Sequence, residues 1–274
     1  MRTSTSWDPQ RYGQFADERT RPFQDLTAQV GAEDPHLVVD LGCGHGPPTL
    51  SLADRWPGAR VVGVDASDSM LDAARAADRD GRVEWLRADL RDWDPATLGG
   101  RPDVLVTSST LQWVPGHLDL LGAWVDALAD DGWVAVQVPG NFDAPSHRLM
   151  REVAAGHPRA AELTAALDVP SSGEPATYLR LLTRLGCEVQ AWETTYLHVL
   201  DPQAQDEDPV LTWVWATGLR PVLELLGEGE ERDAFVTPYR EALREAYPRT
   251  SAGVVLPFRR VFAVGRRVPR QGAR

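Results

Sequence analysis

The sequence predicts an α/β protein with a doubly wound, mostly parallel sheet. Three observations support this prediction. Strand-like and helix-like segments alternate through about the first 140 residues, the strands contain β-branched apolar runs such as VVGV, and a glycine-rich turn follows the first strand. Strands and helices that alternate at this spacing form parallel sheets with right-handed crossovers. Apolar runs of this kind are typical of strands that are buried on both faces.

Five strands are predicted in the first half of the chain. In order they are HLVVDLG, ARVVGVDAS, RVEWLRADL, PDVLVTSST and GWVAVQV. The predicted helices are PPTLSLADRW after the first strand, DSMLDAARAA after the second, and LDLLGAWVDALAD before the fifth.

Two further strands are predicted beyond residue 140, where prolines interrupt the helix-like segments. They are CEVQAWETTYLHVL and VVLPFRRVFAVGRR, and a helical block at about 209–247 lies between them. We expect the two strands to pair as a hairpin-like edge, which completes a seven-stranded sheet with an antiparallel edge strand. The intervening helices are expected to cover a pocket.

Charge and composition exclude several classes of protein. The net charge is −12 and all 28 basic residues are arginines, so no basic face for a nucleic acid is expected. Because the chain contains no lysine, Schiff-base chemistry, the usual pyridoxal phosphate enzymes and lysine-bearing phosphate loops are excluded. The two cysteines, Cys43 and Cys187, do not form a metal-type pair, so neither a metal site nor a disulfide scaffold is expected.

The sequence also predicts a cytoplasmic protein that does not enter a membrane. No apolar run approaches the roughly 20 residues that a membrane-spanning helix needs. The start, MRTSTSWDPQRYGQF, lacks the apolar core of a secretory signal. Hydrophobic residues make up 43% and charged residues 25% of the chain, which is ordinary for a soluble globular protein.

The stretch VVDLGCGHGPPTL is the first candidate for a binding site. Gly42 and Gly44 permit a tight turn and close approach of the backbone to a ligand, and Pro47 suits the first position of a helix. A dinucleotide fingerprint reads GxGxxG, but here the third glycine, Gly46, comes one residue early. The phosphate loop GxxxxGK[ST] is absent. A glycine turn that binds no ligand is the alternative for this loop taken alone.

Three acids extend the candidate site. Asp40 precedes the glycines, and Asp65 ends the second strand at the spacing where an acid binds ribose hydroxyls. Asp89 ends the third strand, where a carboxylate can accept a hydrogen bond from an adenine amino group. A helix N-cap is the alternative role for Asp89.

Together the acids and glycines resemble the S-adenosylmethionine-dependent methyltransferases of the Rossmann-like class I superfamily. The resemblance covers residues 37–140 and implies S-adenosylmethionine as the cofactor. It implies one domain over residues 1–274, with a cofactor-binding half at 35–140. Residues 141–274 then supply the late strands and substrate-covering helical segments at about 145–185 and 206–248. The expected cofactor-binding residues are Tyr12, Phe15, Arg19, Asp40, Gly42, Gly44, Asp65, Ala66, Met70, Ala88, Asp89, Leu90, Ser108 and Trp113.

Stretches outside this half are similar to one subfamily, the trans-aconitate 2-methyltransferases. They include WDPQRYGQFADERTRP, SSTLQWVPGH, VAVQVPGNFDAPSHRLMREVA, GCEVQAWETTYLHVL, WVWATGLRPVLELL and PFRRVFAVGRR. The departures are Ser108–Ser109, where asparagine or alanine is more usual, and the tail beyond Arg267. This resemblance implies transfer of a methyl group to one carboxylate of trans-aconitate, which gives a monomethyl ester.

No catalytic residue is assigned, and a positioning mechanism is expected. A carboxylate with a pKa near 4 is already ionised at pH 7, so no general base is needed. Catalysis can rest on holding the carboxylate oxygen in line with the sulfonium methyl group and on removing water from it.

A tricarboxylate substrate requires local cations, and arginine forks bind carboxylates in bidentate fashion. Arg220 and the pair Arg259–Arg260 are the first candidates, followed by Arg19 and Arg21; salt bridges to surface acids are the alternative for each. Arg19 is also a candidate for the methionine carboxylate of the cofactor. The expected substrate-binding residues are Gln137, His147, Tyr196, Trp213, Arg220 and Arg259.

Three alternatives remain open at this point. The first is a methyltransferase of another small acid or of a hydroxyl compound. The second is a nicotinamide oxidoreductase, which Pro47 and the pair Asp40 and Asp89 disfavour. The third is a module that binds the cofactor without turnover. We expect a monomer that binds no nucleic acid.

Overall fold

The computed structural model describes residues 16–168, 172–215 and 217–269, with side chains from residue 20 onward. The helices and strands of its first half follow the predicted order. They are α1 (Ala16–Thr27), β1 (Leu37–Leu41), α2 (Pro47–Arg55), β2 (Arg60–Asp65), α3 (Asp68–Ala77), β3 (Val83–Arg87), β4 (Val104–Ser108), α4 (His117–Ala127) and β5 (Trp133–Pro139). Short 3₁₀ turns cover Pro95–Leu98 and Leu111–Trp113.

The second half is mainly helical between two long strands. Its elements are α5 (Pro145–Gly156), α6 (Ala160–Leu167), α7 (Pro175–Arg184), β6 (Cys187–Leu200), α8 (Pro209–Trp215), α9 (Arg220–Leu226), α10 (Glu230–Ala246), β7 (Arg249–Thr250) and β8 (Gly253–Arg267). The predicted helical block at 209–247 is therefore three consecutive helices.

The sheet has the order β3-β2-β1-β4-β5-β8-β6, and the two-residue β7 pairs with β8. Strands β1 to β5 pair in parallel. β8 runs antiparallel to β5, because Arg267 N–H donates to Gly132 O at one end and Gly140 N–H donates to Arg259 O at the other. These findings confirm the predicted α/β sheet of mostly parallel strands with an antiparallel edge. The two late strands pair with each other, and β8 also lies next to β5.

Local sequence explains how the first elements form. All five residues of β1 are buried, as expected for a central strand between two neighbours. Pro47 stands at the first turn of α2, where its missing N–H costs nothing. Ser67 caps α3, because its side-chain oxygen accepts a hydrogen bond from Met70 N–H at 3.4 Å.

The chain divides into two compact units. Over the described residues, unit 1 comprises residues 16–138, 172–193 and 261–269, and unit 2 comprises residues 139–168, 194–215 and 217–260. The core of unit 1 contains strands β1, β2, β4 and β5, with Trp93 and Trp124 packed edge to face at 6.3 Å. None of the helices in the described ranges is both long and apolar enough to cross a bilayer.

In unit 2, two tyrosines of the C-terminal part fix the start of α5. Tyr239 Oη donates to Ser146 O at 2.9 Å, and Ser146 N–H donates to Tyr247 Oη at 3.0 Å. Burial raises the pKa of Tyr239 far above its ordinary value, so this hydroxyl remains a hydrogen-bond donor.

Candidate active site

The glycine loop between β1 and α2 has a backbone that favours glycine. Gly42 and Gly44 have φ angles of +81° and +54°. A Cβ atom on Gly42 would overlap the side chain of Thr110, so the absence of a side chain lets the turn after β4 pack against the loop. At Gly44 a Cβ atom would meet no atom within 4 Å, so this glycine faces open space that a ligand can fill.

Asp65 fixes the centre of this loop. Gly44 N–H donates to Oδ2 of Asp65 at 2.9 Å, and Ser67 N–H donates to Oδ1 at 2.8 Å. Burial raises the pKa of Asp65, and the backbone N–H donors oppose this shift. The acid predicted to bind ribose thus lies at the end of β2, where it also orients the glycine loop.

Asp40 is a buried acid at the start of the loop. Only 2% of the residue is exposed, and Oδ2 accepts a hydrogen bond from Thr49 Oγ1 at 2.6 Å. Burial raises the pKa of Asp40 to about 7, while the Thr49 hydrogen bond lowers it and the charge of Asp65 raises it further. This carboxyl can therefore exchange a proton near neutral pH.

A pocket in unit 1 opens beside the loop, and four of the predicted cofactor residues line it. They are Asp40, Gly42, Gly44 and Ser108. The other lining residues are Thr20, Phe23, Cys43, His45, Pro48 and Ser109. Ser109 and His45 are next to predicted residues in the sequence, so the sequence could have indicated them. Thr20 and Phe23 lie on α1, and no local pattern indicated their approach.

The remaining predicted cofactor residues whose side chains the structure describes do not line this pocket. Ala66 is exposed, Met70 and Leu90 are buried, and Ala88 N–H donates to Asp65 O at 3.1 Å. Trp113, in its 3₁₀ turn, is 40% exposed. Tyr12 and Phe15 lie outside the described residues, and of Arg19 only the backbone, within α1, is described.

Asp89 forms a local ion pair. Its carboxylate accepts hydrogen bonds from the Arg91 backbone N–H at 3.0 Å and from Arg91 Nε at 2.9 Å. The Arg91 guanidinium lowers the pKa of Asp89 below its ordinary value. A ligand that binds this carboxylate must therefore share it with Arg91 or displace Arg91.

At the ends of β4 and β5, two serines converge on one glutamine. Ser108 Oγ and Ser109 Oγ donate to Oε1 of Gln137 at 2.8 Å and 2.9 Å. Gln137 was predicted to bind substrate; its side chain is fully buried and serves both hydroxyl groups. Ser109 has a φ of +56°, which is unusual for a residue other than glycine.

The other predicted substrate residues belong to unit 2, where aromatic rings cluster. His198 stacks on Trp213 at 5.0 Å and on Tyr196 at 6.1 Å, and Phe258 packs against Trp213 at 5.8 Å. The guanidinium of Arg260 lies over the Phe258 ring at 4.4 Å. Tyr196 and Trp213 are therefore brought together, with His198 between them.

The basic residues of unit 2 that were predicted to bind substrate contact other parts of the protein. Arg220 Nε pairs with Glu224 at 2.8 Å, and Arg259 Nη1 donates to Gly140 O at 3.2 Å. Burial and the charge of Arg151 lower the pKa of His147 to about 4, so this imidazole is neutral at pH 7. Gly218 lies next to His147, since a Cβ atom at Gly218 would be 3.2 Å from Nε2.

Comparisons with known proteins agree with the sequence and the fold. The model of the family described as "Methyltransferase domain" matches residues 38–132. A "Trans-aconitate 2-methyltransferase" of Streptomyces avermitilis is 53% identical over 269 residues, covering 94% of this chain and 96% of the relative. A protein of the same name from Streptomyces coelicolor is 48% identical, covering 97% of this chain and 88% of the relative.

A solved structure of low sequence identity has the same fold. Geranyl diphosphate C-methyltransferase from Streptomyces coelicolor, in complex with Mg²⁺, geranyl diphosphate and S-adenosyl-L-homocysteine, matches with a TM-score of 0.52 at 16% identity. The match covers 98% of this chain and 86% of that structure. The two curated relatives lead to one conclusion: the chain belongs to the trans-aconitate 2-methyltransferase family.

Proposed function

We propose that this chain transfers a methyl group from S-adenosylmethionine to a carboxylate of trans-aconitate, giving the monomethyl ester and S-adenosylhomocysteine. The observation that carries the proposal is the 53% identity to a trans-aconitate 2-methyltransferase over 94% of the chain. That span includes both units, so it covers more than the part of the fold that methyltransferases share.

The pocket of unit 1 suits this cofactor. Gly44 presents open space in the pocket that Asp40 also lines, so a ligand can approach the backbone of the glycine loop closely. We assign the ribose hydroxyls to Asp65 and the adenine amino group to Asp89. When bound, S-adenosylmethionine supplies a sulfonium methyl group; a substrate carboxylate oxygen forms the new C–O bond while the C–S electrons remain on sulfur.

The protein's own contribution is positioning. A substrate carboxylate is ionised at pH 7, so no side chain has to remove a proton. Binding groups that hold the carboxylate oxygen in line with the methyl group lower the entropic part of the barrier. Removing water from that oxygen increases its reactivity.

Carboxylate recognition is assigned to cations and neutral donors. We propose that Arg220 and Arg259 bind substrate carboxylates, because guanidinium forks match the geometry of a carboxylate. His147, Tyr196 and Trp213 are proposed as further substrate residues. His147 is neutral at pH 7 and can donate a hydrogen bond to a carboxylate without adding charge.

Mass spectrometry of a reaction with trans-aconitate and isotopically labelled cofactor tests the function. We expect a product that carries one labelled methyl group as an ester. A panel of other small acids and hydroxyl compounds serves as the comparison. Labelled product from another acceptor, with none from trans-aconitate, would reject the substrate assignment and leave the methyltransferase assignment intact.

Thermal-shift measurements test the cofactor independently of turnover. We expect S-adenosylhomocysteine to stabilise the protein and NADH to have no effect. Stabilisation with no product from any acceptor would identify a module that binds cofactor without turnover. We further propose that the enzyme acts as a cytoplasmic monomer, and light scattering in solution tests the oligomeric state.

A further inference from the structure

The turn after β4 carries a strained residue. Ser109 has a φ of +56°, and left-handed backbone at a residue other than glycine costs free energy and is concentrated at functional sites. Ser109 also lines the pocket of unit 1. The surrounding structure must therefore supply the contacts that keep this conformation.

Gln137 supplies those contacts. Its backbone carbonyl accepts a hydrogen bond from Ser109 N–H at 3.0 Å, and its side-chain oxygen accepts one from each serine hydroxyl. Gln137 is the sheet neighbour of Ser108, since the two residues are in register between β4 and β5. Three hydrogen bonds thus fix Ser108 and Ser109 on one fully buried residue.

The same turn also contacts the glycine loop. Thr110 follows Ser109, and its hydroxyl lies 3.2 Å from Gly42 O and 3.1 Å from Ser108 O, within hydrogen-bond range of both. Gly42 has room for Thr110 only because it has no side chain. A change in the conformation of Ser109 would therefore move Thr110 away from the loop that lines the pocket.

We propose that Gln137 is a positioning residue for the cofactor site: it holds Ser109 in the left-handed turn that places Thr110 against the glycine loop. This inference rests on the proposed cofactor and assigns Gln137 a role other than contact with the substrate. Gln137 acts through Ser109 and Thr110 and does not touch the reacting atoms.

The first test compares Ser109→Gly with Ser109→Ala in the full-length chain. Both variants lose the hydroxyl, but only glycine adopts a φ of +56° without strain. By calorimetry with S-adenosylhomocysteine, we expect Ser109→Gly to bind within about two-fold of the wild type and Ser109→Ala about five-fold more weakly. Equal losses in both variants would overturn the proposal, because they would indicate that the hydroxyl contacts the ligand.

The second test uses Gln137→Leu, alone and combined with Ser109→Gly. We expect Gln137→Leu to weaken S-adenosylhomocysteine binding about ten-fold, since only a fraction of the molecules then holds the competent turn. KM for trans-aconitate at saturating cofactor should stay within about two-fold. The double variant should recover most of the cofactor affinity, because glycine no longer needs the glutamine to adopt the turn.

Two results would overturn the positioning role of Gln137. Normal cofactor binding with a raised KM for trans-aconitate in Gln137→Leu would make Gln137 a substrate ligand. Absence of recovery in the double variant would indicate general damage to the sheet. Thr107→Val, a buried change on the same strand as Ser108, is the matched control and should leave cofactor binding unchanged. If Gln137→Leu fails to fold, the comparison of Ser109→Gly with Ser109→Ala still decides whether the left-handed turn controls cofactor binding. If the wild-type protein binds no S-adenosylhomocysteine, the proposed function fails first.

Discussion

The backbone N–H of Gly44 donates a hydrogen bond to Oδ2 of Asp65 across 2.9 Å, so the glycine loop and the end of β2 hold each other in place. Asp65→Ala removes the acceptor for Gly44 and for Ser67, as well as the proposed ribose contact. We expect calorimetry to show at least a ten-fold loss of S-adenosylhomocysteine affinity. Asp68→Ala, an exposed acid three residues later, is the control and should bind normally. Unchanged affinity in Asp65→Ala would remove Asp65 from the cofactor site.

Alanine substitutions at Gly42, Gly44 and Gly81 separate strain from ligand contact. Gly44 and Gly81 have similar φ angles of +54° and +62°, and a Cβ atom at either meets no atom within 4 Å. We expect both variants to lose about 1 kcal/mol of unfolding free energy in urea melts. Of these two variants, only Gly44→Ala should also lose cofactor affinity, because Gly44 lines the pocket and Gly81 does not. Gly42→Ala should be the least stable, since its Cβ atom would overlap Thr110.

Arg220→Met tests carboxylate recognition. Arg220 carries a guanidinium that is already oriented by Glu224. We expect steady-state kinetics to show a severalfold increase in KM for trans-aconitate, because the variant lacks the guanidinium that we propose to pair with a substrate carboxylate. Cofactor affinity should be nearly unchanged. Arg148→Met, on the surface of α5, removes an equal charge and should leave KM unaltered. The same KM in both variants would exclude Arg220 from the substrate site.

The raised pKa of Asp40 predicts that the stability of the protein depends on pH. Burial raises its pKa from 3.8 in the unfolded chain to about 7 in the folded protein, so the folded state holds a proton that the unfolded state releases. The contribution of Asp40 to the free energy of unfolding is therefore greatest below pH 3.8. It falls by roughly 1.4 kcal/mol per pH unit between pH 3.8 and 7.

Asp40→Asn removes that titration while retaining an acceptor for Thr49. In denaturant melts, the unfolding free energy of the variant relative to wild type should increase steadily from pH 5 to pH 7 and level off above it. Asp72→Asn, a solvent-exposed acid on α3, should show no such trend. A difference that is independent of pH would contradict the raised pKa of Asp40.

Local patterns predicted the elements of this fold because their causes are local. α3 begins and ends at the predicted residues, Asp68 and Ala77, since a serine cap and an apolar stripe define it. Pro47 begins α2 for an equally local reason. The strand next to β5 was not predicted to be β8, because the order of late strands depends on contacts between distant segments.

The sequence predicted the site residues that belong to one continuous segment. It did not predict the contacts that form where several segments meet. Gly42 and Gly44 were visible in the loop itself. Phe23 lines the pocket because of the way α1 packs against the loop, and the periodicity of the sequence does not predict this packing. The ion pair between Asp89 and Arg91 depends on the conformation of a turn. The hydrogen bond from Ser108 to Gln137 depends on the register of strands β4 and β5.

The place of β8 between β5 and β6 bears on how the chain is made. Because β8 spans Gly253–Arg267, the ribosome must pass these residues before the sheet can close. Until then β5 presents an unpaired edge, which is the kind of surface that aggregates or recruits chaperones. We therefore expect a nascent chain stalled before residue 253 to remain sensitive to protease, and one released beyond residue 267 to become resistant.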